Sequence, residues 1–216
     1  MQLRLSELKL PLDHQPEDLP FLVARTLGVD RAAIAEVEVF KRSFDARKVE
    51  LLTVYIADVT LADLGQAADL LARHADNSHI RAKPDMDYHL PVVAPTAVRP
   101  IVVGFGPCGI FAALLLAQMG LKPLVLERGK TVRERTRDTW GLWRKNTLNP
   151  ESNVQFGEGG AGTFSDGKLW SQIQDKFHYG RKVLEEFVKA GAPEEILFVS
   201  KPHIGTFRLT GVVAAM

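Results

Sequence analysis

The feature that most constrains the fold is a glycine pattern placed between two apolar runs. The run Ile101–Val103 is followed by three glycines with the spacing G-x-G-x-x-G, namely Gly104, Gly106 and Gly109. Apolar residues 110–119 then predict a helix that ends at Gly120, and residues 122–127 predict a second strand. The order of strand, glycine turn, helix and strand predicts a Rossmann-type βαβ unit of an α/β fold.

This loop suits a dinucleotide for physical reasons. Gly104 permits the tight turn, Gly106 lets a pyrophosphate approach the backbone, and Gly109 lets the helix pack on the strand. The helix N-terminus offers backbone N–H groups to the phosphates. Pro107 has no backbone N–H, so the helix end offers one donor fewer. Glu127, eighteen residues after Gly109, would accept hydrogen bonds from ribose hydroxyls and disfavours the 2′-phosphate of NADP. FAD and NAD remain, against the alternative of a simple tight turn beside a solvated carboxylate.

A second glycine-rich segment, residues 153–168, holds five glycines within eleven residues. Such backbone can lie flat against a ligand and present several N–H groups, and hydroxyls add further donors. The predicted cofactor contacts in this segment are Gly159, Gly160, Gly162, Thr163 and Ser165. A second ligand-facing loop favours FAD over NAD, and the alternative is a flexible surface loop.

Between the two loops, residues 128–145 carry seven basic side chains and two acidic ones. We expect Arg128 and Arg135 to reach the pyrophosphate or the adenine, against the alternative that the run is a solvated helix face. Trp140 and Trp143 are three residues apart, which predicts one helical face that packs in the core rather than a stack on a flavin.

The first 95 residues predict a separate, ferredoxin-like α/β domain with the element order βαββαβ. The predicted elements follow one another as strand 3–10, helix 16–27, strand 35–40, loop 41–48, strand 49–60, helix 61–74 and strand 79–82. Residues 83–100 contain four prolines and no helical period, which is typical of a connector. We therefore place the boundary near residue 95 and assign 96–216 to the Rossmann-type domain.

Composition limits the remaining functions. The 27 basic and 26 acidic residues give a formal charge of +1, so no global field attracts nucleic acid or a membrane. The single cysteine, Cys108, excludes a disulfide framework, and we predict no metal site; a packing role is favoured over a redox role. The N-terminus lacks a signal-peptide pattern, and the apolar stretch 109–121 is short of the ~20 residues that span a bilayer. We therefore expect the protein to be cytoplasmic. We also expect the stretch 109–121 to form a buried helix.

The motifs resemble a known family. Residues 101–129, with V-G-x-G-P-x-G followed by V-L-E-R-G, resemble the two-dinucleotide-binding-domain flavoproteins that bind FAD. Residues 128–140, 156–169 and 201–206 look like the uncharacterised bacterial FAD-dependent dehydrogenases, and so does the N-terminal domain. Phe105 and Cys108 replace alanines that are common there.

The resemblance implies an FAD-binding oxidoreductase of unknown substrate, with the fingerprint glycines and Glu127 in cofactor roles and NAD(P) as a possible electron donor. Members of that family are longer, and their later portion carries the substrate domain and a further flavin-contacting segment. The chain ends at Met216 without a cap or breaker. We therefore expect a fragment that is incomplete at its C-terminus.

Two other functions stay open. An NAD-dependent dehydrogenase fragment would use the same fingerprint but would leave the second glycine loop unexplained. A flavin-dependent RNA-modifying protein would use the first domain as a nucleic-acid module, although no aromatic RNA-binding signature lies on its strands. Its candidate contacts are Lys41, Arg42, Arg47 and Lys48. No catalytic residue can be assigned, since His178 and His203 are candidates by residue type only.

Overall fold

The computed structural model describes residues 1–94, 96 and 98–216, so the predicted boundary at residue 95 lies outside the described residues. The protein is mixed α/β, with a four-stranded antiparallel sheet and a two-stranded parallel pair. The chain divides into two compact units. The first contains Met1–Met86 and Leu197–Ser200, and the second contains Asp87–Ile196 and Lys201–Met216.

The first unit has the βαββαβ order that the sequence predicts. Its strands are β1 (Leu3–Pro11), β2 (Ile34–Asp45), β3 (Leu52–Leu61) and β4 (Ile80–Ala82), and its helices are α1 (Asp18–Leu27) and α2 (Gln66–Arg73). The sheet has the order β2-β3-β1-β4. Helix α1 ends as predicted at Gly28, whose φ of 66° lets its N–H reach the carbonyls of Ala24 and Arg25.

One apolar core fills the first unit. The strands supply alternate residues such as Leu3 and Leu5, while the helices supply residues one turn apart such as Leu19 and Val23. The register of β1 shifts between Leu5 and Leu8, with a φ of 58° at Glu7. This bulge returns Leu8 to the core although it lies three positions after Leu5.

Three boundaries in the first unit were predicted wrongly, one of them the start of β3, which lies at Leu52 rather than at residue 49. Strand β2 continues to Asp45, so most of the predicted loop 41–48 is strand. Its polar end is held by pairing rather than by apolar burial, because Asp45 pairs with Leu52 of β3. Helix α2 begins at Gln66 rather than at residue 61, since a turn closed by a hydrogen bond from Gly65 N–H to the Asp63 carboxylate (2.9 Å) precedes it.

In the second unit, α3 (Pro107–Gln118) connects the parallel strands β5 (Ile101–Val103) and β6 (Leu124–Leu126). Three further helices follow, α4 (Val132–Lys145), α5 (Tyr179–Lys189) and α6 (Thr206–Ala215). The glycine-rich segment forms a 3₁₀ turn at Gly160–Phe164. Within the described residues, no helix is both long enough and apolar enough to cross a membrane.

The strands of the parallel pair are open to solvent. Val103 is 83% exposed and Ile101 62% exposed, and α3 buries only Ile110 and Ala113. The prediction that the whole stretch 109–121 is a buried helix is therefore wrong. The buried apolar cluster of this unit comes mainly from other helices and loops, with members such as Ile196 and Val212.

Candidate functional site

The first glycine loop has the close packing that its sequence predicts. Gly104 has a φ of 91°, and its N–H donates to the Leu126 carbonyl over 2.7 Å, which extends the pairing of β5 with β6. A Cβ added to Gly109 would overlap the carbonyl oxygen of Gly104. Only glycine therefore lets the first turn of α3 lie this close to the end of β5.

Glu127 holds the backbone of this loop through both carboxylate oxygens. Its Oε2 accepts a hydrogen bond from Phe105 N–H, and its Oε1 accepts one from Gly129 N–H, each at 2.7 Å. The side chain is half-buried. A carboxylate oxygen has two lone pairs, so each oxygen can accept a further hydrogen bond from a ligand hydroxyl.

The second glycine loop lies directly on the first. The N–H of Gly159 donates to the Phe105 carbonyl over 2.7 Å. Gly160 has a φ of 66°, and a Cβ added there would lie 3.1 Å from both Gly106 Cα and Pro107 Cδ. The absence of side chains at Gly106 and Gly160 lets the two loops meet at the N-terminus of α3.

A buried arginine shapes the second loop from within. Arg135 is fully buried, and its Nε donates to the Asn153 carbonyl over 2.7 Å. Its Nη1 donates to the Glu158 carbonyl (2.6 Å), and its Nη2 donates to those of Val154 and Gly160 (2.7 Å each). Burial lowers the pKa of this guanidinium more than the charges of Glu127 and Glu158 raise it, so its pKa lies below the usual value.

The predicted contact of Arg135 with a pyrophosphate or an adenine stays a prediction. The structure assigns it a different task, holding the carbonyls of residues 153–160 in one arrangement. Thr163 belongs to the same network, since its buried Oγ1 accepts a hydrogen bond from Arg135 Nη1 (3.1 Å). Its hydroxyl is therefore engaged inside the loop.

Glu158 was not predicted as a site residue. Its Oε2 accepts a hydrogen bond from Val132 N–H over 2.6 Å, which places a carboxylate at the first residue of α4. A negative charge stabilises the N-terminus of a helix. The sequence signal was an acidic residue inside a glycine run that follows a predicted helix.

Two pockets adjoin the contact between the loops. The first has a volume of about 230 Å³ and includes five predicted residues: Gly104, Gly106, Glu127, Arg128 and Gly160. The second, of about 240 Å³, includes five more: Pro107, Gly159, Gly162, Thr163 and Ser165. Two predicted residues, Gly109 and Arg135, line neither pocket. Gly109 packs on the backbone of the first glycine loop, and Arg135 donates to carbonyls of the second.

Several lining residues were not predicted from the sequence. In the first pocket these are Phe105, Gly129, Glu151, Gln155, Phe156 and Gly157, and in the second they include Phe111, Lys168 and Phe187. A signal existed for Gly129, a glycine directly after the predicted strand and Arg128; a Cβ there would overlap Gly157. Exposed Arg128 pairs with Glu151 over 2.6 Å at the rim.

Other candidate residues lie outside both pockets. Trp140 and Trp143 contact each other edge to face and are 43% and 54% exposed, so the prediction that they pack in the core is wrong. Cys108 is exposed at the first turn of α3. His178 precedes α5 as its N-cap residue. No group of three His, Cys, Asp or Glu side chains is placed to hold a metal ion in the part of the chain that the structure describes.

Comparison with known proteins gives two similarities. Residues 2–60 match a family described as "Domain of unknown function (DUF8436)". The chain is also 42% identical over 214 residues to an uncharacterized protein of Clostridium beijerinckii. That similarity covers 99% of this chain and 39% of the relative, so the chain spans about two fifths of the relative's length. Neither description names a reaction or a cofactor.

Proposed function

We propose that residues 96–216 form the dinucleotide-binding part of an FAD-dependent oxidoreductase. The observation that carries this proposal is the contact of the two glycine loops at the N-terminus of α3, with Glu127 beneath them. The parallel β5-α3-β6 unit supports a Rossmann-type fold. The order β2-β3-β1-β4 supports a ferredoxin-like fold for the domain before it.

The backbone at this contact fits a pyrophosphate. Cys108 and Gly109 lie in the first turn of α3, where a helix has no acceptor of its own for the N–H groups. The partial positive charge of the helix end adds to their attraction for phosphate oxygens. Gly106 and Gly160 present no side chain there, so an anion can approach the backbone closely.

Glu127 fits a ribose. It lines the first pocket beside the glycine loop, and two backbone N–H groups fix its orientation. Two ribose hydroxyls would find acceptors in its remaining lone pairs, whereas a 2′-phosphate would meet a like charge. We therefore propose FAD or NAD rather than NADP as the resident dinucleotide.

The second pocket favours FAD of these two. Its walls include the apolar side chains of Ile110, Phe111, Leu169, Phe187 and Val213, which suit a large flat ring system. When bound, FAD supplies the redox chemistry, and the residues of this chain bind and orient it. The chain spans 39% of its relative, so the proposal concerns the binding of the cofactor by this part and assigns no substrate to the whole protein.

A fluorescence titration of the whole 216-residue chain with FAD tests this function. We expect saturable quenching of the flavin that Gly109→Ala abolishes, because the added Cβ overlaps the Gly104 carbonyl oxygen. Gly211→Ala is the matched control, since a Cβ at that position meets no atom within 4 Å. Binding of NAD without FAD would replace the flavoprotein proposal, and binding of neither would contradict a dinucleotide site.

A further inference from the structure

A third pocket, of about 510 Å³, belongs to the first unit and lies beside the start of α1. It is lined by His14, Pro16, Leu19, Pro20, Val37, Val39, Arg42, Tyr55 and Phe198. This volume is within the range of ligand pockets, which are mostly apolar with a few converging polar groups. None of these residues takes part in the proposed dinucleotide site.

A bulge in β2 determines the position of Arg42, the cation of this pocket. Val39 pairs with Ala57 of β3, but Lys41 pairs with the next residue, Ile56, so one extra residue is inserted in β2. Arg42 therefore pairs with Tyr55, and the two side chains share one face of the sheet. Without the bulge, Lys41 would take this face; bulges that re-aim a side chain are frequent beside binding sites.

Residues 197–200 hold this end of β2. Arg42 N–H donates to the Phe198 carbonyl (2.6 Å), and Ser200 N–H donates to the Arg42 carbonyl (3.0 Å). The guanidinium of Arg42 lies 5.2 Å from the centre of the Phe198 ring. A cation and an aromatic wall are thus fixed next to each other in the pocket.

The Tyr55 hydroxyl is the second polar group, and His14 orients it. The His14 Nδ1 lies 2.6 Å from the Pro11 carbonyl, which can only accept, so Nδ1 carries a proton. In the neutral ring Nε2 is then an acceptor, and the Tyr55 hydroxyl 2.9 Å away donates to it. The phenol oxygen then keeps only lone pairs, which a carboxylate cannot use, so Arg42 is the group that recognises an acid in this pocket. Burial raises the pKa of Tyr55 while Arg42 lowers it, and the net change is upward, so the phenol stays protonated near neutral pH.

We propose that this pocket binds a small organic carboxylate with an apolar body and no ammonium group. Arg42 supplies the positive charge and planar donor pair that match a carboxylate. The apolar body would lie against Leu19, Val37, Val39 and Phe198. No acidic side chain lines the pocket, so an ammonium group would find no counter-charge there.

Calorimetric titration of the whole chain with hexanoate and benzoate, and with the neutral hexanamide and benzamide, tests this site. We expect saturable binding of an acid, at least about tenfold weaker for the matching amide and for Arg42→Gln, because a hydrogen bond to a charged group is lost. Arg25→Gln, at an exposed position outside the pocket, is the matched control. It should bind as the wild type does.

Amide shifts in ¹H–¹⁵N spectra provide a second measurement that does not depend on a variant. The acid should shift the amides of His14, Arg42 and Tyr55, which line the pocket. The proposal is overturned if neither acid binds, if the amides bind as tightly as the acids, or if Arg42→Gln and Arg25→Gln weaken binding equally.

Discussion

The two sheets of this protein are built in opposite ways. Leu3, Leu5 and Val59 of the antiparallel sheet are fully buried, whereas Val103 of the parallel pair is 83% exposed. The first unit is therefore held by apolar side chains that regular strands and helices bring together. The candidate dinucleotide site of the second unit depends instead on glycine backbone contacts and on one buried guanidinium. Side-chain burial holds the sheet of the first unit, and backbone contacts hold the two glycine loops of the second unit together.

Removal of the buried guanidinium should break the second unit alone. Arg135→Met leaves several buried carbonyl groups without hydrogen-bond donors. Each unsatisfied carbonyl costs about 1–3 kcal/mol, so we expect the free energy of unfolding of the second unit to fall by about 4 kcal/mol. All three tryptophans, Trp140, Trp143 and Trp170, lie in this unit, so urea unfolding followed by their fluorescence measures it. Arg133→Met, at an exposed position of the same helix, should change little. Equal losses in both variants would contradict the role given to Arg135.

Loss of a core side chain of the first unit should destabilise the first unit and leave the second unit unchanged. Leu5→Ala removes a fully buried side chain of β1, and we expect a loss of about 3 kcal/mol in the first unit. Hydrogen exchange of the β1 and β3 amides measures this loss, while the tryptophan transition should stay in place. Leu12→Ala, at a half-exposed leucine, is the control and should cost less than about 1 kcal/mol. If Leu5→Ala shifted the unfolding transition of the tryptophans, the two units would unfold together, and the expectation of a separate effect would be contradicted.

Acid should weaken the second unit through Glu186. Burial raises the pKa of this carboxyl, but hydrogen bonds from Lys182, Lys189 and Gln118 outweigh it and lower the pKa from 4.5 to about 2. Because the folded pKa is depressed, the carboxylate stabilises the fold above pH 4.5, and this contribution is lost as the pH falls towards 2.

The variant Glu186→Gln should therefore be less stable than the wild type at neutral pH, by on the order of 1 kcal/mol. The difference should shrink as the pH falls from 4.5 towards 2. Urea unfolding at a series of pH values, followed by tryptophan fluorescence, measures it. Glu185→Gln, whose carboxylate is more exposed, is the control. A difference that is constant with pH would refute the linkage to Glu186.

The sequence was informative where the fold depends on local pattern. The spacing of Gly104, Gly106 and Gly109 and the distance to Glu127 predicted a turn in which the structure finds close helix–strand packing. The alternation of apolar residues predicted the element order of the first unit. These signals are local because a glycine turn and a strand period are both set by neighbouring residues.

The sequence was uninformative where partners are far apart in the chain. Arg135 was one of several basic residues on a helix, and its acceptors lie 18 to 28 positions later. The spacing of Trp140 and Trp143 gives a shared helical face but not the direction in which that face points. Arg42 seemed part of a polar loop, because neither the bulge before it nor its pairing with Tyr55 leaves a mark in the sequence.

The most direct test of the central claim is hydrogen exchange of the whole chain with and without FAD. If the two glycine loops form the proposed dinucleotide site, they should become protected, with slower exchange at Cys108 and Gly109 and across 157–162. The amides of β1 and β3 should keep their exchange rates, since the core of the first unit does not depend on the ligand. Unchanged exchange in both glycine loops at saturating FAD would contradict the claim that they form a dinucleotide site.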